Sequence, residues 1–298
     1  MLIHQKTAPQ KPARVVLLGA GGFLSPELGR LLAQDGVPVH AIGSRDIDLT
    51  SEGTADRLAA ELRPDDVVVM AAALTPDKGR DIATLMKNLR MAESVCAALG
   101  RLRLAHFIYI SSDGVYDGRF SSLLNEESTC EPSDLYCLMH TAREKMLSQT
   151  CQAAGIPFAI VRPCAVYGPG DTHNSYGPNR FVRTALKDGK ITLFGGGEEK
   201  RHHVYVTDVG ELIKLTILHC STGVINAVTG EAVSFGDVAE KIAAATEAPV
   251  SIERLPRTTP VTHRHFDTTA LARAFPSFRE TPLDSGLERT IAGVAARA

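Results

Sequence analysis

The chain has 298 residues, 44% of them hydrophobic and 22% charged, a balance that excludes a disordered or fibrous protein. Lys and Arg number 32 and Asp and Glu 34, so the formal charge of −2 excludes the basic surface that nucleic acid demands. At ~150 residues per domain the length means one large domain or two intimate ones, enough to bury ~75% of the unfolded surface without metal or disulfide staples. The longest apolar run, Val67 to Leu74, falls far short of the ~20 residues that span a bilayer, so no membrane partner is expected. Met1 to Pro12 lacks an apolar signal core and reads as a loose polar arm. Cys96, Cys130, Cys137, Cys151, Cys164 and Cys220 form no CxxC pair and read as reduced thiols of a cytoplasmic enzyme.

Short β-branched runs then alternate with helical patterns. Arg14 to Leu18 predicts a buried strand, followed by a glycine-rich turn and a helix through Gln34. Further strands are expected at Val37 to Gly43, Val67 to Ala71, Phe107 to Ser111, Phe158 to Arg162 and Val224 to Ala227. Their continuous apolar runs predict strands covered on both faces, as in a parallel sheet. Asp81 to Leu99 carries apolar residues at helical spacing from Ile82 to Leu99. The alternation predicts a Rossmann-type, doubly wound α/β sheet. After Pro163 the composition shifts to Gly, Pro, Asn and His, with helices expected at Asn179 to Asp188, Phe235 to Thr246 and Asp267 to Phe275. The expected organisation is a dinucleotide-binding domain over 13–164, completed by about 204–228, and a small α/β substrate-binding lobe from 165–203 and 229–298.

Three motifs carry chemistry. Gly19 and Gly22 end the first strand in a turn that opens into a helix, with Ser25 at the third glycine position of GxxGxxG. Such a turn lets backbone approach a pyrophosphate at a helix N-terminus, and Phe23 and Leu24 lie at that entrance. The second strand ends Gly43-Ser44-Arg45, without the carboxylate an NAD ribose calls for. Ser44 and Arg45 suit a 2′-phosphate and favour NADP, while Asp46 or Asp48 can still serve NAD. Asp48 and Leu49 fall where adenine would sit, and Ala71, Ala72 and Ala73 are small enough to let a cofactor pass. Third, Ser111-Ser112-Asp113-Gly114-Val115-Tyr116 is followed by Tyr136 and His140 at helical i,i+4 spacing.

Together with Asn88, Glu144, Val161 to Gly170 and Arg201 to Val209, these segments resemble an extended short-chain dehydrogenase/reductase of the NAD-dependent epimerase/dehydratase family, which acts mostly on nucleotide sugars. The resemblance implies that Tyr136 transfers the proton, that Ser112 and Asp113 belong to the catalytic centre, and that Pro163 packs near the nicotinamide. It further implies that Arg201 grips the substrate diphosphate and that two helices, those of Asn88 and Tyr136, form a homodimer. The alternative reading makes Tyr136 a buried helix tyrosine, Ser112 a strand-end hydroxyl and Arg201 a surface ion-pair partner.

The pattern breaks at instructive places. The family has Lys four residues after the tyrosine, binding the ribose and lowering the phenol's pKa, and this chain has His140. A histidine of ordinary pKa ~6.5 is mostly neutral at pH 7, so Tyr136 is expected to stay protonated, which impairs oxidation-first reactions more than carbonyl reduction. Lys145 is nine residues on and faces away. Gly114 stands where dehydratases carry a second carboxylate and fucose-synthase-like enzymes a cysteine, while Cys164 reads as a small core residue. Ala165 replaces a substrate-binding Asn, for which Asn179 compensates or else caps the next helix. His173, His202 and His203 do not make a metal site, because adjacent strand residues point to opposite faces; His202 and His203 are expected to line a partly solvated cleft. The expectation is an NADP-dependent reductase of a keto group on a nucleotide-activated sugar. A C4 epimerase retaining NAD is the alternative, and a catalytically degenerate dinucleotide sensor is the alternative of another class.

Overall fold

The computed structural model describes residues 1–116, 123–171, 173–174 and 176–297. Its strands and helices alternate as the apolar runs predict. In chain order they are β1 (Ile3–His4), β2 (Arg14–Leu18), α1 (Leu24–Gln34), β3 (Val39–Ile42), α2 (Thr54–Glu61), β4 (Asp66–Met70) and α3 (Ile82–Leu99). After β5 (His106–Ile110) and a 3-10 turn at Asp113–Val115 come α4 (Leu135–Ala154), β6 (Phe158–Pro163), β7 (Ala165–Tyr167), α5 (Pro178–Asp188) and β8 (Lys190–Phe194). The remainder is β9 (Lys200–Arg201), β10 (His203–Tyr205), α6 (Val206–Leu218), β11 (Ser221–Ala227), β12 (Val233–Ser234), α7 (Phe235–Ala245), β13 (Ser251–Leu255), α8 (Thr269–Ala274) and α9 (Leu283–Ala295).

The central sheet has the order β1-β11-β6-β5-β4-β2-β3, parallel except at the β1 edge. Alternate side chains leave opposite faces of a strand, and both sets here are apolar. Val15, Leu17, Val67, Val69 and Ile108 pack with Leu28 and Leu32 of α1 and Val209 and Ile213 of α6. Val16, Leu18, Val68, Met70 and Phe107 pack with Leu58 of α2, Val95 of α3 and Leu147 of α4. Both faces covered is the physical meaning of the uninterrupted runs. Since β2 pairs with β3 on one side and β4 on the other, the chain reverses its winding between β2 and β4. Ligands of such sheets bind at that reversal, outside the carboxyl ends of the strands.

The N-terminal arm is not loose as expected. Ile3 and His4 pair antiparallel with Thr222 and Ser221, and His4 Nδ1 lies 2.7 Å from Ser221 Oγ. The open edge of β11 offers unpaired backbone groups, and two residues are enough to use them. A third apolar cluster gathers Tyr167, Phe181, Val182, Leu193, Phe235, Val238 and Leu287 from the segments after β6, with Phe23 packed against it.

Candidate active site

The β2–β4 reversal opens into a groove of about 290 Å³. Gly19 is required there: its φ is +104°, and a Cβ would stand 2.8 Å from Ala72 N and 2.9 Å from Ala72 Cα. The turn therefore lies directly on the end of β4, and α1 begins with no side-chain cap on its first N–H groups. Gly19→Ala is expected to cost about 1–3 kcal/mol through backbone strain; a urea midpoint equal to that of the wild type would contradict this packing. Of the expected residues, Gly19, Gly22, Ser44, Asp48, Leu49, Ala71, Ala72 and Ala73 line the groove. Arg45, Phe23, Leu24, Pro163 and His140 are not among its walls. Arg45 is exposed on the turn after β3, while Phe23 and Leu24 pack into the third apolar cluster. Pro163 is buried in register with Ala227. The groove also has Lys78, Met91 and His173, which no motif announced.

Tyr136 lies in the first turn of α4, started by Asp134, whose carboxylate accepts from Cys137 N at 2.8 Å. It opens on a smaller cavity of about 80 Å³ that shares Leu74 with the groove. Asn88 fixes that shared wall, its side chain accepting from Leu74 N at 2.8 Å and donating to Leu74 O at 3.0 Å. The rings of Tyr136 and His140 meet edge to face at 4.7 Å. Burial and the neighbouring Tyr109, Cys137 and Asp113 push the Tyr136 phenol well above its ordinary pKa, and Arg143 opposes them only in part. Burial, with the Arg143 cation, takes His140 down to about 3. Neutral His140 is thus what the structure gives, for a stronger reason than its ordinary pKa. Lys145 is exposed, as its spacing requires.

Ser112 accepts from Gly114 N at 3.1 Å and caps the 3-10 turn, and its own O–H makes a long contact of 3.4 Å to Asp113 Oδ1. Gly114 permits the close approach of that turn to α4, since a Cβ there would meet Cys137 Sγ at 2.9 Å. Asp113 is buried and accepts from Arg264 Nη1 at 2.8 Å and from Cys164 Sγ at 3.1 Å. Burial raises its pKa, but the Arg264 guanidinium outweighs this and holds the carboxyl below its ordinary value. Arg201 donates to Thr262 O at 2.6 Å and to Thr262 Oγ1 at 3.0 Å; burial and nearby Arg264 lower its pKa. Two guanidiniums against one carboxylate leave this corner cationic. Beneath it, Glu144 accepts from Ser111 Oγ at 2.6 Å and from Arg162 at 2.9 and 2.7 Å, locking Ser111, next to Ser112, at the end of β5.

Several expectations need correction. Asn179 neither caps α5 nor offers its amide: Oδ1 accepts from Gly168 N at 2.9 Å and Nδ2 donates to Val166 O at 3.3 Å. Both His202 and His203 are buried; His203 lines a cleft of about 110 Å³ with Thr229, Glu280 and Thr281, as expected, whereas His202 does not. His202 Nε2 accepts from Phe266 N at 3.0 Å and Nδ1 donates to Thr229 O at 2.7 Å, which ties the C-terminal segment to the fold. Cys164 is buried as expected but hydrogen-bonds Asp113 rather than only filling space. Arg264 was missed altogether, since it lies 151 residues from Asp113 in a segment without regular structure. Among the described residues no group of His, Cys, Asp and Glu can hold a metal ion, and no helix is long and apolar enough to cross a membrane.

Known proteins resemble this chain in sequence and in fold. The sequence profile of the NAD dependent epimerase/dehydratase family matches residues 15–229. dTDP-4-dehydrorhamnose reductase of Mycobacterium tuberculosis is 30% identical over 265 residues, 83% of this chain and 82% of its own. Human dTDP-D-glucose 4,6-dehydratase is 30% identical over 131 residues, 44% of this chain, which spans only 37% of that protein. Two solved structures match the fold: Thermus thermophilus UDP-glucose 4-epimerase in complex with NAD (TM-score 0.85, 22% identity, 96% of this chain and 100% of that one) and a GDP-L-fucose synthetase of Naegleria fowleri bound to NADP (TM-score 0.85, 16% identity, 100% and 98%). With most of its length matched, the chain belongs to the NAD-dependent epimerase/dehydratase family.

Proposed function

We propose that the protein is an NADP-dependent reductase of a keto group on a nucleotide-activated sugar. One observation carries this reading: the phenol of Tyr136 is held protonated beside a neutral His140. Reduction of a ketone consumes a proton, and a phenol of high pKa has one to give throughout the neutral range. A dinucleotide fits the groove, because a glycine turn that no Cβ could enter lies against β4 and the first N–H groups of α1 have no side-chain cap. When bound, the dinucleotide supplies the hydride. Ser44 in the groove wall and exposed Arg45 beside it suit a 2′-phosphate.

In this reading Tyr136 gives its proton to the carbonyl oxygen, and the O–H of Ser112, turned from its long 3.4 Å contact with Asp113 Oδ1, orients that oxygen. Asp113 is a positioning group that holds Arg264, while Arg201 and Arg264 receive the diphosphate. Removing one charged hydrogen-bond donor costs about 1.5–3 kcal/mol, so Arg201→Ala is expected to raise KM ~10–100-fold with kcat little changed in steady-state assays. A homodimer through α3 and α4 fits their exposed Ile82, Met86 and Leu138.

The deciding experiment mixes the protein with NADPH and dTDP-4-dehydrorhamnose, then with UDP- and GDP-linked keto sugars, and follows nicotinamide absorbance. NADPH oxidation by one of them supports the proposal. Binding of NADPH without oxidation by any keto sugar would leave a degenerate dinucleotide sensor. Asp48 in the groove wall favours a second reading, C4 epimerisation with retained NAD; turnover of a nucleotide sugar without added nicotinamide would establish it.

A further inference from the structure

Arg143 is an unneutralised cation inside the fold. It is fully buried, yet no carboxylate among the described residues pairs with it. The two acids nearest the site are already engaged, Glu144 by Arg162 and Asp113 by Arg264. Arg143 Nε donates to Asn88 O at 2.9 Å and Nη1 to Ala72 O at 2.8 Å, while Nη2 has no partner. A charge removed from water without a counter-ion is costly, and two backbone carbonyls can be held by a neutral side chain as well. The cation therefore calls for a reason beyond clamping α3 to β4.

That reason lies on the same helix face. Arg143 is two turns beyond Tyr136 and one beyond His140, at i, i+4 and i+7. His140 Nδ1 lies 2.7 Å from the hydroxyl of Tyr109, which is buried and feels the Arg143 charge. A phenol oxygen beside a guanidinium turns its lone pairs to the cation and its hydrogen away. The Tyr109 hydrogen then points at His140 Nδ1, which must accept, and the imidazole carries its own hydrogen on Nε2. His140 Nε2 is buried and without a partner.

We propose that Arg143 is the positioning residue of this site: acting through the Tyr109 hydroxyl, it keeps His140 neutral in the Nε2–H form, so that a non-titrating hydrogen-bond donor stands beside Tyr136. The groups facing His140 are Tyr109 from β5, Asp113 from the 3-10 turn, and Tyr136 and Arg143 from α4. Asp113 alone pulls toward protonation, and Arg264 already neutralises it. The device accounts for a chain that places a histidine where a fixed charge would otherwise stand: the charge is one turn further along. Its catalytic consequence rests on Tyr136 as proton donor, whereas the tautomer itself does not.

Nitrogen-15 spectra of the histidine rings test it without any ligand, with the His140 signals assigned by their loss in His140→Phe. The wild type is expected to show His140 with hydrogen on Nε2 and no titration from pH 5 to 8. Arg143→Lys should preserve this, and Arg143→Gln should raise the midpoint by about one pH unit or more, a tenfold change in proton affinity, or let the Nδ1–H form appear. If Arg143→Gln does not fold, Tyr109→Phe, of nearly the same volume, decides alone by releasing the tautomer. Hydrogen on Nδ1 in the wild type, or an unchanged His140 signal in Tyr109→Phe, would overturn the proposal. Dinucleotide affinity by fluorescence is read separately: His140 is not in the groove wall, so complete absence of binding sinks the reductase reading while the ring spectra still decide this one.

Discussion

Lowering the pH from 7.5 to 5.5 is expected to remove about 4 kcal/mol of unfolding free energy, most of the stability of a weakly stable domain. Three histidines carry it, and His202, lowered by burial in the same direction, adds to it. Burial takes His106 down to about 4, His140 to about 3 and His203 to about 4; only His140 feels a carboxylate, Asp113, which Arg264 already engages. Each has a folded pKa below its unfolded value near ~6.5. Its contribution is therefore complete above that value and is lost as the pH falls toward the folded pKa, at about 1.4 kcal/mol per pH unit per histidine. The depressed carboxylates Asp66 and Asp113 add their own loss only below ~4, outside this window. Denaturant unfolding at the two pH values measures the difference, and His106→Phe, which removes one group while filling its space, should take away about a third of it. A change under ~1 kcal/mol would mean that these rings gain protons in the folded state.

The sheet was legible because its signal is local. Arg14–Leu18 and Asp66–Met70 bury both faces, so runs such as Val67-Val68-Val69 have no polar alternation, and Gly19 marks the crossing between them. The contact of Tyr136 with His140 was legible for the same reason: one helix turn separates them. What escaped depends on who meets whom. Arg143 was hidden because i+7 spacing shows a shared face but not that the face is buried without a counter-ion. Arg264 reaches Asp113 from a segment with no periodic pattern, and Asn179 met backbone carbonyl and amide groups that no spacing reveals. The pairing of Ile3 and His4 with β11 likewise needs the position of an edge strand, which two residues of sequence do not encode.

Replacing Tyr136 by Phe is expected to lower the rate of keto-sugar reduction by ~10²–10⁴ while leaving dinucleotide affinity nearly unchanged, because Tyr136 lines the cavity beside the groove and not the groove itself. The pH dependence separates this from simple misplacement. With the phenol raised by burial, reduction should stay flat from pH 7 to 9, whereas oxidation of the corresponding alcohol, which needs the phenolate, should rise about tenfold per pH unit. His140→Lys then probes the missing charge. A cation at that distance lowers a phenol by ~1–3 units, and repulsion from Arg143 sets the expected gain near the lower end, about tenfold in oxidation at pH 7. An oxidation rate in His140→Lys equal to that of the wild type would show that residue 140 does not govern the phenol. A Tyr136→Phe variant that still reduces the keto sugar at the wild-type rate would remove the tyrosine from the chemistry, because no other phenol among the described residues lines the groove or the cavity beside it.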